Sequence, residues 1–222
     1  MKHAVMCVQR STLPAQVLSA EGQITPFKTD QLQYEGIEFI NRTVVDAKRK
    51  DNATYYSIGT MFPQLLPYML IRSNNQFLTY NRKGTEQRLH GLISIGVGGH
   101  IDIHDVHFKF EEASKYKDPE LDIVNTIQLA AERELVEEIG LHTRQPIAFD
   151  HCIMSFNNEV GQVHLGLLAI IDLDHLGISR EALEISDEIL NPRWLSIEQL
   201  RDSIDECEDW SQIAINWLSQ GE

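Results

Sequence analysis

Arg133-Glu134-Leu135-Val136-Glu137-Glu138-Ile139-Gly140-Leu141 is the stretch whose reading decides the fold. A helix turns by about 100° per residue, so Glu134, Glu137 and Glu138, at i, i+3 and i+4, share one narrow arc. Like charges that close repel one another, and a helix that needed only solubility would intersperse lysine. This stretch holds one arginine, Arg133, and no lysine. A hard divalent cation is the simplest partner that makes such a cluster stable, and clustered carboxylate oxygens suit Mg²⁺ or Mn²⁺. Gly140 stands where the helix should stop, because glycine takes the left-handed C′ conformation without strain.

Upstream, Ile93 to Val97 reads as a strand that delivers the chain to Gly98-Gly99-His100-Ile101-Asp102. Asp105 follows six positions after Gly99. Together these stretches resemble a Nudix box: Gly, five residues, Glu, seven residues, then Arg-Glu-aliphatic-x-Glu-Glu-x-Gly-aliphatic. The second half matches at every specified position from Arg133 to Leu141. The first half departs from the pattern. Asp105 stands where glutamate is usual, and 27 residues, 106 to 132, replace the seven. The resemblance covers roughly residues 62 to 205.

What the resemblance implies is specific. The fold class is α/β, a Nudix-like α/β/α sandwich with a mixed sheet. Residues 61–222 would form that domain, with an insertion at about 106–118. Residues 1–60 would be an N-terminal, strand-containing extension or small subdomain. Glu137 and Glu138 would be the principal ligands of Mg²⁺ or Mn²⁺, with Glu134 a further ligand or the general base. Gly99 would offer its carbonyl oxygen to the metal, and Arg133 would orient a glutamate by charge-assisted hydrogen bonding.

A further acid is expected from a loop before the last strand. Glu188, six residues before Trp194, is the leading candidate, with Asp187 and Glu159 in competition. The expected catalytic set is thus Glu134, Glu188 and Arg133. Arg82 and Arg88, before the glycine loop, could hold substrate phosphate through bidentate contacts. The expected activity is metal-dependent cleavage of a phosphoanhydride bond in a nucleoside diphosphate linked to another moiety. Two alternatives share the fold: a catalytically silent nucleotide-binding module, and an isopentenyl-diphosphate isomerase. Intact Glu134, Glu137 and Glu138 count against the silent module. The isomerase needs a catalytic cysteine near the glycine loop, and none stands between Cys7 and Cys152.

Composition narrows the partners. A formal net charge of −14 argues against sequence-independent binding to nucleic acid, which needs a basic surface. It is compatible with a small phosphorylated substrate that arrives with or onto metal ions, and the resemblance implies that this substrate is nucleotide-like. No apolar run approaches the ~20 residues that span a bilayer, and Met1-Lys2-His3 leads into no signal-peptide pattern. Cys7, Cys152 and Cys207 are odd in number and widely spaced, which reads as reduced packing residues of a cytoplasmic protein. A homodimer is the assembly allowed for.

The remaining elements follow from pattern. His3 to Val8 and Leu32 to Ile40 read as strands, and Asn41 to Lys50 is the most basic segment, read as a solvated face or as one turned to substrate phosphates. Tyr68–Ile71 and Gln76–Tyr80 flank Arg72-Ser73-Asn74-Asn75 as a hairpin. Asp118-Pro119-Glu120 carries the marks of a helix start, with Ile123, Ile127, Ala131, Leu135 and Ile139 as the buried stripe. Ile147–Ser155 and Val163–Leu173 read as strands, Ser196 as the N-cap of a short helix, and Glu206–Ser219 as a final amphipathic helix. His100, Asp102, His104, Asp105 and His107 have metal-ligand chemistry but read as a polar loop beside the carboxylate helix. The insertion, carrying Phe108, Phe110 and Tyr116, is expected to form a lid, a wall of the substrate pocket or a dimer interface.

Overall fold

The computed structural model describes residues 4–45, 48–51, 54–82, 91–109 and 120–221, with 48–51, 54–57 and residue 82 at the level of the backbone. Strands β1 (Ala4–Val8), β2 (Gln23–Pro26) and β3 (Ile37–Asn41) open the chain, accompanied by helices α1 (Ala15–Ser19) and α2 (Arg42–Val45). A small ladder of β4 (Lys48–Asp51) and β5 (Thr54–Ser57), then helix α3 (Ile58–Met61), leads to the hairpin β6 (Gln64–Ser73) and β7 (Gln76–Arg82). Strands β8 (Ile93–Ser94) and β9 (Gly96–Val97) precede the glycine loop. Next come β10 (Phe108–Lys109), β11 (Glu120–Leu121) and the long helix α4 (Ile123–Ile139). Strands β12 (His151–Met154) and β13 (His164–Asp172), helix α5 (Leu173–Leu176), strand β14 (Ile189–Leu195) and helices α6 (Ile197–Asp202) and α7 (Asp209–Leu218) complete it.

Two long strands organise the sheet. In the β6–β7 hairpin, Asn74 and Asn75 both have positive φ (47° and 56°), the two-residue turn whose twist matches that of the flanking strands. β6 also pairs in parallel with β13, from Gln64 opposite His164 to Arg72 opposite Asp172. Among the described residues the main sheet has ten strands, with the path β14-β7-β6-β13-β12-β2 and with β1, β3, β8 and β9 attached to it. The sheet is mixed. β1 and β2 join it through β6 and β12, so the N-terminal strands lengthen the same sheet.

Period-2 alternation sends side chains to two cores. Met69 and Ile71 of β6, with Leu165 and Leu167 of β13, meet Ile127, Ala131, Leu135 and Ile139 of α4. Tyr68 and Leu70, with Leu168, face Leu200 of α6 and Ala214 and Leu218 of α7 on the other side. Helices on both faces of a mixed sheet make the expected α/β/α sandwich.

Several boundaries differ from expectation, each for a local reason. The helix α4 begins at Ile123. Its N-cap is Asp122, which accepts from the Asn125 backbone N–H at 3.2 Å and from Asn125 Nδ2 at 2.7 Å. Glu120 lies instead in β11, paired with β10, while Asp118 and Pro119 lie outside the described residues. The insertion therefore leaves and rejoins through a two-stranded ladder, and Phe110 and Tyr116 lie outside the described residues. The strand expected from Ile147 is shorter, because the Ile147 N–H and C=O are both taken by the Gln128 side chain of α4. Leu32 to Gly36 is 3₁₀ and irregular, leaving only Ile37 onward extended. The strand expected over 93–97 breaks at Ile95, whose N–H goes to Ser211 Oγ of α7 rather than to a neighbouring strand.

Candidate active site

The glycine loop is seated by close contact. Gly98 has φ 149°, and a Cβ there would lie 1.9 Å from the Pro67 carbonyl oxygen of β6. A Cβ on Gly99 would lie 2.5 Å from Oε1 and 2.6 Å from Oε2 of Glu134. Only glycine lets the backbone at position 99 come so near the helix carboxylate, and any side chain there would displace it.

Arg133 is the hub of the site. Its Nε and Nη2 each donate to one oxygen of Asp105, both at 2.9 Å, a fork-on-carboxylate pair. Nη2 also donates to the His100 carbonyl at 2.8 Å, which fastens the glycine loop to the helix. Nη1 reaches Glu134 Oε1 at 2.6 Å and Glu137 Oε2 at 3.1 Å. The Asp105 hydrogen bonds, against the cost of burial, hold the guanidinium well above its ordinary pKa. Asp105 itself is 5% exposed, and its Oδ2 also accepts the Asp102 backbone N–H. The acid that departs from the box pattern thus anchors Arg133, and the insertion starts just after it.

The three helix carboxylates differ in environment. The Glu134 side chain is 12% exposed. Burial raises its pKa, Arg133 offsets this only in part, and the negative charges of Glu137 and Asp105 push the same way as burial. The Glu137 side chain is 60% exposed and rests on Arg133. Glu138 lines a cavity of about 370 Å³ together with Glu134, Gly99 and Glu188. Among the described residues no three His, Cys, Asp or Glu side chains converge as a ready-made metal site. The donor set still fits a hard divalent ion: carboxylate oxygens with a glycine backbone pressed against one of them. Burial is the largest cause of the raised pKa of Glu134, so its ionised form is disfavoured even beside Arg133.

The loop that carries Glu188 is tied to the end of α4. Glu184 N–H donates to the Ile139 carbonyl and Ser186 N–H to the Glu138 carbonyl, both at 2.9 Å. Gly140 closes the helix with φ 65°, and a Cβ there would meet Glu184 Cβ at 2.6 Å. Glu188 lines the cavity wall; Asp187 and Glu159 are not among the residues that form it.

Arg88 and the side chain of Arg82, the residues expected to hold phosphate, lie outside the described residues. Arg42, from the basic segment, lines the cavity instead. Of the polar loop, His100 and Asp102 line the cavity, Asp102 also capping a 3₁₀ turn by accepting from the His104 N–H, while His107 Nδ1 lies 3.7 Å from Asp122. Sequence reasoning missed the opposite wall, made of Tyr68, His164, Glu208, Asp209 and Trp210. These residues lie far apart in the chain and only the topology brings them together. Cys7, Cys152 and Cys207 are buried, and none of them lines this cavity.

No protein-family model matches the chain. Protein YmaB from Bacillus subtilis (strain 168) is 27% identical over 205 residues, covering 86% of this chain and 92% of its own. The crystal structure of Tm1382, described as a proposed Nudix hydrolase, superposes with a TM-score of 0.68 at 18% identity, covering 97% of this chain and 98% of that one. A bifunctional NMN adenylyltransferase/ADP ribose pyrophosphatase from Francisella tularensis, complexed with AMP and a Mn ion, aligns at a TM-score of 0.45 and 14% identity over 71% of this chain and 41% of that one. The fold of this chain is the Nudix fold. No helix among the described residues is long and apolar enough to cross a membrane.

Proposed function

We propose that the chain is a Mg²⁺- or Mn²⁺-dependent hydrolase of the Nudix type, cleaving a phosphoanhydride bond in a nucleoside diphosphate linked to another moiety. The observation that carries this reading is the buried Glu134 carboxylate pressed against Gly99, with Glu138 and Glu188 on the same cavity. Glu137 and Glu138 would hold the ion, together with Glu134 and the Gly99 carbonyl. A bound ion of this kind neutralises the diphosphate and acidifies the attacking water.

The chain's own residues do the rest. Arg133, fixed by Asp105, positions Glu134 and Glu137 and joins the helix to the glycine loop. Glu188, on a loop fastened to the end of α4, is the base proposed to take the proton of the attacking water, with Glu134 the alternative. Arg42 supplies positive charge on the cavity wall where the diphosphate would lie.

The test is a screen of nucleotides, dinucleotides and nucleotide sugars with Mg²⁺ or Mn²⁺, reading phosphate release with and without added phosphatase. Cleavage inside a diphosphate gives two phosphomonoesters, so phosphate appears only when phosphatase is added. Tight nucleotide binding without turnover on any compound would make the chain a binding module. Direct phosphate release would mean attack at a terminal phosphate.

A further inference from the structure

Strand β1 runs from one cavity loop toward another. The Met6 N–H donates to the Ile101 carbonyl at 2.8 Å, and Val5 stands opposite Asp102, so the strand is pinned to the glycine loop. Further along, Cys7 pairs with Gln64 at the start of β6, and Gln64 pairs with His164 at the start of β13. β1 is antiparallel to β6 and β6 is parallel to β13, so the chain leaving β1 arrives beside residues 156–163, which lead into β13. Arg10 stands there, in a 3₁₀ turn (Arg10–Thr12).

Arg10 grips that segment near both of its ends. Its Nη2 donates to the Gln162 carbonyl at 2.9 Å, and its Cζ lies over the Phe156 ring, 4.7 Å from the centroid. Inside the segment, Gln162 Nε2 donates to the Phe156 carbonyl at 3.1 Å and the Gly161 N–H to Asn158 Oδ1 at 2.8 Å. Asn158, Val160 and Gly161 line the cavity. The Val160 carbonyl accepts from His164 Nδ1–H at 2.7 Å, which sets that ring on the same wall. Arg10 is not among the lining residues. Burial moves its pKa downward, and its Nε is buried without a hydrogen-bond partner among the described residues. An apolar side chain would fill this place without that cost, so what the charge contributes is its hold on a carbonyl and a ring face.

Building on the hydrolase reading above, we propose that Arg10 is a positioning residue for the substrate: it fixes the 156–163 wall of the cavity from outside, through Gln162 and Phe156. The N-terminal strand then belongs to the site, bracing the glycine loop at one end and this wall at the other. Losing the grip loosens substrate binding before it touches the chemistry, because the carboxylates of α4 are held separately, by Arg133 and Asp105.

The experiment compares the full-length wild type with Arg10→Met, which keeps an apolar stem, and Arg10→Lys, which keeps the charge but not the planar fork. Hydrogen exchange without metal or substrate should become about tenfold faster at the Gly161, Gln162 and Val163 amides in Arg10→Met, and less so in Arg10→Lys. The α4 amides of Leu135 and Ile139 should change far less. On a hydrolysed compound, KM should rise about tenfold in Arg10→Met while kcat stays within about twofold, and Arg10→Lys should recover part of the loss. Phe156→Leu should reproduce the rise in KM, and adding it to Arg10→Met should cost little more. Unchanged exchange in the wall, exchange raised equally throughout the protein, or a fall in kcat at constant KM overturns the proposal. If the wild type hydrolyses no compound and the wall alone loosens in Arg10→Met, the hydrolase reading fails and the grip stands. Hydrolysis with an unmoved KM in Arg10→Met sinks this proposal alone.

Discussion

The parallel pair β6–β13 ends in two ways. At one end Arg72 and Asp172 stand opposite each other, with Nε and Nη2 at 3.1 and 3.0 Å from Asp172 Oδ2. Asp172 also caps α5 by accepting the His175 N–H at 3.1 Å, and Asp174 accepts from Ser73 Oγ and the Asn74 N–H. Arg180 closes the corner by donating to the Ser73 carbonyl and to Gln76. At the other end, Pro67, Tyr68 and His164 border the cavity, with Glu134 across the glycine loop. Burial works against ionisation at both ends. Near Arg72 the hydrogen bonds to the His175 backbone and the guanidinium overcome it, and the pKa of Asp172 falls below the ordinary value. At Glu134 burial prevails and the pKa rises. At one end the protein's own donors outweigh the cost of burying the carboxylate, and at the other they do not.

The contrast breaks most visibly at the helix carboxylates. Glu138→Gln should fold normally yet lose several orders of magnitude in turnover, because a neutral amide is a poor ligand for a hard cation. Near-normal metal-dependent turnover would show that the cluster does something else. A smaller effect is expected at the loop acid. Glu188→Gln should lower kcat by about 10²–10⁴-fold while Mn²⁺ affinity stays nearly constant, the signature of a lost base. Full rate with an unchanged acid limb of the pH profile would move that role to Glu134.

At the closed end the expected effect is on stability alone. Asp172→Ala should cost about 1–2 kcal/mol, from a lost N-cap and ion pair, with kcat unchanged. Because the pKa of Asp172 is depressed, its contribution is present above the unfolded value of about 4 and fades as pH falls through the folded one. The difference between variant and wild type in urea should therefore narrow at pH below about 4. A change in kcat would mean that the two ends are coupled.

The half of the site that could be read in the sequence is the half made by local spacing. Glu134, Glu137 and Glu138 share a face because helical geometry is short-range, and Gly140 stops the helix for a local reason. The sandwich followed from strands interleaved with helices. The start of α4 was misplaced because Pro119 is a strong signal, while Asp122 wins as cap through the Asn125 side chain, which no pattern announces. The break at Ile95 depends on Ser211, more than a hundred residues away. Tyr68, His164 and Trp210 were illegible for the same reason: each looks like a core or surface residue until the sheet topology sets them around one cavity.

Thermal unfolding with and without Mn²⁺, for the wild type beside Glu134→Gln, tests the central claim most directly. The raised pKa of Glu134 means that its ionised form is disfavoured by folding, so this group lowers stability as pH rises from its unfolded value through its folded one. At neutral pH and without metal, the variant should be at least as stable as the wild type. With Mn²⁺ at about 100 times its Kd the wild type should gain about 2.7 kcal/mol, and the variant clearly less. A variant that is less stable without metal, or a wild type that Mn²⁺ leaves unmoved, would contradict the account.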